Sequence, residues 1–242
     1  MSTDRIRGRG LLASALSAAA DWLVEPAEPS GKGGDAYPAP LEARPVVAVV
    51  GLAARCGATT VARALGAQLA AGDPGGACAV TSTTPAGRAP LGLPAAARLA
   101  RELAAVADGQ ARACGRLCLV EGIDRGALAA AVRYVAPLVI DVDTRADAPA
   151  AAAIADHVVM VGSPSTEPAL AAVLGQSLSQ VGPHPVAVLN RAGVNDEHWA
   201  GRAEFELPES LMAARVALAG REPRGALGRA VGKLADRCQR VP

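Results

Sequence analysis

Aromatic residues are scarce in this chain of 242 residues, which contains two tryptophans, two tyrosines and one phenylalanine. Apolar residues nevertheless make up 51% of the sequence. The core must therefore be built from alanine, valine, leucine and isoleucine. The length suits one α/β domain with appendages and is sufficient to bury a sizeable core.

An excess of charge of one sign is also absent. The chain has 24 lysines and arginines against 23 acidic residues, a formal net charge of +1. This balance argues neither for a polyanionic partner nor for an acidic tail. Nearly all of the positive charge is arginine, because Lys32 and Lys233 are the only lysines.

Paired cysteine motifs are missing. The five cysteines form no CxxC doublet, a pattern that indicates a reducing compartment, and we expect a cytoplasmic protein. Cys114 and Cys118 have the spacing to share one face of a helix, but no histidine lies near them in the sequence. No zinc site is predicted.

No apolar run approaches the ~20 residues of a membrane span, so we expect a soluble protein, with peripheral attachment to the inner membrane as the alternative. Residues 1–24 are predicted to form a short amphipathic helix with a basic start. Its resemblance to a signal peptide makes secretion an alternative, which we do not favour. Residues 25–44 are rich in proline and glycine and predict a flexible linker, so that this helix would form an arm beside a domain over residues 45–242.

Strands and helices alternate throughout residues 45–242. This alternation predicts an α/β fold with a mostly parallel, doubly wound sheet. Near-continuous apolar strands, such as residues 46–50, fit burial on both faces of that sheet.

The turn after the first strand has the order of a phosphate-binding loop. Gly51 ends the strand, and Gly57 precedes Ala58, Thr59, Thr60 and an alanine-rich helical pattern. Five residues separate the two glycines, one more than in the usual motif. The alternative is a strand-to-helix turn in which Gly57 merely permits a tight bend.

The lysine of that motif is missing. Ala58 occupies its place, while Thr59 occupies the place of the hydroxyl that ligates magnesium. An alanine cannot offset the charge that develops as a γ-phosphate leaves, at a cost of about 3 kcal/mol in the transition state. The loop predicts weak nucleotide binding and slow hydrolysis at best, unless Arg55 restores charge from another place in the loop.

Three later residues are candidates for the same site. Asp141 follows an apolar strand and could reach magnesium, and it is the one catalytic candidate if the protein is active. Asn190 could bind the edge of a purine through its amide. Pro208 could form one wall of a base pocket. Each also has an ordinary interpretation. Aspartate and asparagine cap strand ends and turns, and proline commonly precedes a helix.

The last predicted helix carries a basic stripe that includes Arg229, Lys233 and Arg237. Such a stripe could contact nucleic acid or anionic lipid. The interpretation that we favour is a solvated helix face.

Taken in order, several motifs resemble those of the ParA/MinD-type deviant-Walker ATPases: Val47 to Gly51, Gly57 to Ala62, Val139 to Asp141, Ala155 to Val161, Val188 to Arg191, and Leu207-Pro208. The Gly-Ala-Thr-Thr form of the loop is most similar to the TadZ/CpaE proteins of pilus assembly and to septum-site proteins. The resemblance implies a P-loop fold that binds ATP and magnesium and positions a machine at a cell pole or membrane, often as a dimer that sandwiches ATP. It implies that Gly57, Ala58, Thr59 and Thr60 form the phosphate-loop core, that Asp141 is the second-switch aspartate and that Asn190 reads adenine. From the residues themselves we add Gly51, Arg55 and Pro208 to the nucleotide-binding candidates and place magnesium on Thr59 and Asp141.

The chain departs from that family at several catalytic positions. Ala53 stands in the place of the signature lysine, Ala54 and Arg55 stand in the place of glycines, and Ser82 and Thr84 in the place of first-switch aspartates. We therefore expect a degenerate nucleotide-binding protein, a pseudo-ATPase, that acts with a protein partner or as a self-dimer in a positioning, pilus or septum machine. The alternatives are a slow ATPase with ATP-dependent dimerisation, using Arg55, Thr59 and Asp141, and a nonspecific DNA binder that uses arginines near the end of the chain: Arg215, Arg221, Arg224, Arg229 and Arg237.

Overall fold

The computed structural model describes residues 42–81, 92–105, 111–142, 145–193 and 196–239. The helix predicted over residues 1–24 lies outside these ranges, as does most of the linker predicted over residues 25–44. Ser82 and Thr84 lie outside them as well.

The described residues form one eight-stranded sheet with the order β3-β4-β2-β5-β1-β6-β7-β8. The strands are β1 (Val46–Gly51), β2 (Cys78–Thr81), β3 (Ala111–Cys114), β4 (Leu117–Val120), β5 (Leu138–Val142), β6 (His157–Gly162), β7 (Val186–Ala192) and β8 (Phe205–Pro208). All neighbouring strands are parallel except β3 and β4. The predicted mostly parallel sheet is confirmed.

Seven α-helices connect or follow these strands in the described ranges. They are α1 (Ala58–Gly72), α2 (Pro94–Ala104), α3 (Arg125–Val132), α4 (Ala148–Ile154), α5 (Ala169–Leu178), α6 (Leu211–Leu218) and α7 (Gly225–Cys238). Two short 3-10 turns, Arg145–Asp147 and Glu197–Trp199, precede α4 and β8. Within the described part of the chain, no helix is both long enough and apolar enough to cross a membrane.

The helices cover both faces of the sheet. One buried cluster joins one face to α1, α6 and α7, and a second joins the other face to α2, α3, α4 and α5. Alternate residues of β1 enter alternate clusters, since successive side chains of a strand point to opposite faces. The fold is therefore doubly wound, with a core of small aliphatic side chains in which Trp199 is the largest fully buried residue.

Hydrogen bonds to Asp156 link two central strands at the amino edge of the sheet. The Asp156 carboxylate accepts a hydrogen bond from the Val46 backbone N–H (2.8 Å) and two from the Arg133 guanidinium (2.8 and 3.1 Å). It thus ties the start of β1 to the start of β6. The two strands are paired in parallel from Val47 with His157 to Gly51 with Val161.

The suggestion that Cys114 and Cys118 share a helix face is wrong. They lie on the antiparallel strands β3 and β4, and their side chains enter different core clusters on opposite faces of the sheet. Strand β3 was not predicted; it has only four residues and includes the exposed Arg112. A strand so short offers too little alternation to be recognised.

Candidate functional site

The loop after β1 lies at the carboxyl edge of the sheet, over its centre. Gly51 ends β1, and Gly57 caps α1 in the left-handed region, with φ of 88°. The neighbouring strands β5 and β6 are in register with β1, with Asp141 opposite Val49 and Val161 opposite Gly51. In parallel α/β sheets this edge is where ligands bind.

A cavity of about 500 Å³ opens at this loop, a volume within the usual range for small-molecule sites. It is lined by residues of the loop, of the first turn of α1, and of the segment that ends β5: Gly51, Ala53, Ala54, Arg55, Cys56, Gly57, Ala58, Thr59, Asp141, Val142 and Arg145. The loop therefore surrounds a hollow rather than packing flat against the sheet.

The start of α1 favours an anion in this cavity. The Val61 N–H donates to the Gly57 carbonyl (3.0 Å), so the N–H groups of Ala58, Thr59 and Thr60 precede the first intrahelical bond. The first turn contains no acidic side chain, and its cap residue is a glycine. The positive end of the helix dipole is thus left for a ligand.

Two arginines and one carboxylate are the charged side chains that line the cavity. Arg55 belongs to the loop and has a left-handed backbone, with φ of 59°. Arg145 belongs to the turn that follows β5, and its guanidinium donates to the Leu52 carbonyl at the beginning of the loop. The cavity lining therefore has a net positive charge, although Ala53 and Ala58 supply none of it.

Asp141 and Thr59 offer oxygen atoms to the same cavity. Asp141 is 2% exposed and projects from β5 on the face that α1 covers, because it is two residues from Val139 of the α1 cluster. A carboxylate and a hydroxyl are donors that suit magnesium. In the described ranges, no group of three or more histidine, cysteine or acidic side chains gathers in a way that would hold a metal ion.

The end of β7 supports the loop from behind. The Asn190 side-chain nitrogen donates to the Cys56 carbonyl (2.9 Å), and the Arg191 guanidinium donates to the Arg55 carbonyl (2.7 Å). An irregularity in the β7 and β8 pairing falls between Asn190 and Ala192, and Arg191 has φ of 60° there. These two bonds hold the middle of the loop in place.

Six of the residues predicted for nucleotide or metal binding line the cavity: Gly51, Arg55, Gly57, Ala58, Thr59 and Asp141. Thr60 is the next residue of the first turn. Asn190 contacts the loop backbone rather than the cavity, and Pro208 lies at the end of β8, paired with Ala192. Base recognition by Asn190 and Pro208 stays a prediction.

Arg145 was not among the predicted site residues, although it lines the cavity. It lies four residues after Asp141, and the carboxyl end of a central strand meets the phosphate loop in this kind of sheet. Its place just after a central strand was therefore the sequence feature that could have identified Arg145. Ala53 and Ala54 stood out in the sequence only as departures from a family pattern, yet both line the cavity.

The architecture is shared with a class of P-loop proteins of known structure. The crystal structure of a ParA family ATPase from Chlorobium tepidum matches with a TM-score of 0.57 and 16% identity, over 80% of this chain and 98% of that one. MinD in the MinC:MinD cell division complex of Aquifex aeolicus matches with a TM-score of 0.54 and 16% identity, over 80% of this chain and 95% of that one. A plasmid partition protein of Borrelia burgdorferi bound to AMPPNP matches with a TM-score of 0.52 and 10% identity, over 80% of this chain and 97% of that one.

At these identities the comparisons establish the fold: this chain has the α/β fold of ParA and MinD proteins. No protein-family model matches the chain, and no curated protein matches it in sequence.

Proposed function

We propose that this chain is a ParA/MinD-like nucleotide-binding protein, a pseudo-ATPase that binds ATP weakly without turning it over, and that it acts in the positioning or assembly of a larger machine. The observation that carries the proposal is the cavity at the phosphate loop. It combines a helix N-terminus with two arginines, and both lysine positions of the family are alanines. The AMPPNP bound to a protein of the same fold supports the choice of ligand.

The residues present fit a magnesium nucleotide. Thr59 and Asp141 would hold magnesium, which would neutralise phosphate charge when bound. The N–H groups at the start of α1 would bind phosphate oxygens, and Arg55 would add one positive charge from the loop. Asn190 and Pro208 lie on the β7 and β8 side of the loop, where a base would extend from it.

The lack of efficient hydrolysis follows from what the loop cannot supply. Phosphoryl transfer is accelerated almost entirely by positioning and by stabilisation of charge on the transferred group. A methyl group at Ala58 and at Ala53 provides neither, and loss of one preorganised donor of this kind lowers turnover about 100- to 1,000-fold. The cavity is therefore better suited to holding a nucleotide than to cleaving it.

The positioning role rests on the resemblance to TadZ/CpaE and septum-site proteins and on the fold shared with MinD. The structure of that neighbour is of a MinC:MinD cell division protein complex. We infer that this chain also acts through a protein partner at a cell pole, septum or pilus machine, with or without self-dimerisation. Nucleotide occupancy would then serve as a structural signal rather than as an energy source.

Isothermal titration with ATP and magnesium, followed by a phosphate-release assay, tests the proposal. We expect measurable binding and no phosphate release above the level of the Asp141→Ala variant. Turnover in the native chain that disappears in Asp141→Ala would contradict the pseudo-ATPase proposal and support the slow ATPase instead. Absence of binding would contradict nucleotide binding itself.

Restoring the lysine provides a matched experiment. Ala58→Lys places an ammonium group at the start of α1, and we expect ATP affinity to rise about tenfold or more, since one charge-assisted hydrogen bond to phosphate is added. Ala226→Lys, in the first turn of α7, adds the same charge at an exposed position away from the cavity and serves as the control. Equal effects of the two variants would show that the cavity does not bind phosphate.

A further inference from the structure

The phosphate loop forms only part of the cavity wall, and Arg145 lies in the part formed by another segment. The loop contributes Arg55, and the segment that leaves β5 contributes Arg145. These two arginines are 90 residues apart in sequence and come from different elements. A ligand in the cavity therefore meets positive charge from the loop and from the end of a neighbouring strand.

Contacts outside the cavity locate the turn that carries Arg145. Asp147, in the same 3-10 turn, forms an ion pair with Arg125 at the start of α3 (3.6 Å). The next residue, Ala148, is fully buried and begins α4. The turn that carries Arg145 is thus anchored to α3 and to the start of α4, outside the phosphate loop.

The guanidinium of Arg145 reaches the loop itself, where it donates to the Leu52 carbonyl. A guanidinium carries five N–H donors in a planar fork, so a bond to one carbonyl leaves donors for a second acceptor. Its charge does not depend on pH in the physiological range, and its fork matches two oxygens of a phosphate group. Ala53 and Ala58 leave the cavity without any lysine to perform that task.

We propose that Arg145 binds the phosphates of the nucleotide and replaces, from the 3-10 turn before α4, the positive charge that the loop has lost. The proposal rests on the proposed nucleotide site and deepens it, since it names a residue that determines ligand class. The cavity lining carries two arginines and one aspartate. This excess of positive charge would favour binding of a di- or triphosphate over binding of a nucleoside or a monophosphate. The bond to Leu52 would also couple phosphate binding to the turn before α4.

The test compares Arg145→Ala, Arg145→Lys and the native full-length chain by titration with ATP and with inorganic tripolyphosphate, which has no base. Each titration is repeated at several salt concentrations. Arg101→Ala is the control, because Arg101 is exposed on α2 and does not line the cavity. Far-ultraviolet circular dichroism and thermal unfolding establish that each variant folds. If Arg145→Ala does not fold, Arg145→Gln is titrated in its place.

We expect Arg145→Ala to weaken both ligands about 10- to 100-fold, Arg145→Lys to recover part of the loss, and Arg101→Ala to have no effect. We also expect the salt dependence of affinity to become shallower in Arg145→Ala and to be retained in Arg145→Lys, because an ion pair is lost in one and kept in the other. A role limited to supporting the Leu52 carbonyl would leave the salt dependence unchanged.

The outcomes separate the two proposals. If the native chain binds ATP and tripolyphosphate and Arg145→Ala binds them equally well, or with unchanged salt dependence, the role of Arg145 is overturned and nucleotide binding stands. If the native chain binds neither ligand, the proposed function and the role of Arg145 both fail.

Discussion

The side-chain nitrogen of Asn190 lies 2.9 Å from the carbonyl oxygen of Cys56 and donates a hydrogen bond to it. The two residues are 134 positions apart in sequence, and the bond joins the end of β7 to the phosphate loop. Asn190 is 8% exposed, so water competes little for either partner. The shape of the loop therefore depends on a distant strand as well as on its own residues.

Replacing this donor should loosen the loop. We expect Asn190→Asp to lower the free energy of unfolding by about 1 to 3 kcal/mol, because the Cys56 carbonyl loses its donor and faces a carboxylate. Chemical denaturation measures the change in stability, and titration with ATP measures the accompanying loss of affinity.

Asn190→Ala separates the effect of losing the hydrogen-bond donor from the effect of adding a negative charge. It removes the donor without adding charge, so we expect a similar loss of stability and a smaller loss of ATP affinity than in Asn190→Asp. Full stability in both variants would show that the bond to Cys56 does not support the loop.

Gly57 should not tolerate a side chain. Its φ of 88° is unfavourable for other residues, and a Cβ atom there would collide with the side-chain nitrogen of Asn190. We expect Gly57→Ala to destabilise the protein by more than the 1 to 2 kcal/mol or so that a left-handed alanine costs. It should also abolish ATP binding, as measured by titration.

Gly201→Ala is the matched control for this effect. Gly201 has φ of 69°, and a Cβ atom added there would meet no other atom within 4 Å, so this variant reports the backbone cost alone. A second check is the double variant Gly57→Ala, Asn190→Ala, in which the collision is relieved. Equal destabilisation by Gly57→Ala and Gly201→Ala would rule out the collision.

Buried thiols should make the fold sensitive to alkaline pH. Burial raises the pKa of Cys118 and of Cys238 from the ordinary value of 9.0 to about 12. Well below pH 9 both thiols are neutral in the folded and the unfolded chain, so their contribution to stability is constant there. Above pH 9 the unfolded chain loses protons first, and the free energy of unfolding falls by up to about 1.4 kcal/mol per pH unit for each thiol.

Denaturation curves between pH 7 and pH 11 measure this slope. In Cys238→Ala one of the titrating groups is absent, so we expect the loss of stability above pH 9 to be less steep than in the native chain. A slope that is identical in the two proteins would assign the alkaline sensitivity to other groups.

The basic stripe on α7 should behave as a solvated surface. Arg229, Lys233 and Arg237 are exposed at four-residue spacing, while the other side of the helix is buried. We expect the protein to be retained only weakly on immobilised DNA at physiological salt. We expect this retention to stay the same when the three residues are replaced by alanine. Strong, salt-dependent retention that these replacements abolish would instead support the DNA-binding alternative.

Much of the fold could be predicted because its pattern is local. Apolar strands such as β1 and β5 alternate with helices, and β1 ends within one residue of the strand predicted over residues 46–50. Strand β3 could not be predicted, since it is short and gains its pairing from β4. The same local reasoning brought Gly57, Thr59 and Asp141 to one edge of the sheet, where the structure places them around one cavity.

The order of glycines, the alanines in place of lysines and the run of alternating elements were settled by the amino-acid sequence, because strand, turn and helix preferences act between near neighbours. The contacts of Asn190 with Cys56 and of Arg145 with Leu52 were decided only by the tertiary structure. Each joins residues about 90 or more positions apart. Which distant groups meet depends on strand order and on how helices pack against the sheet, and no local pattern encodes that.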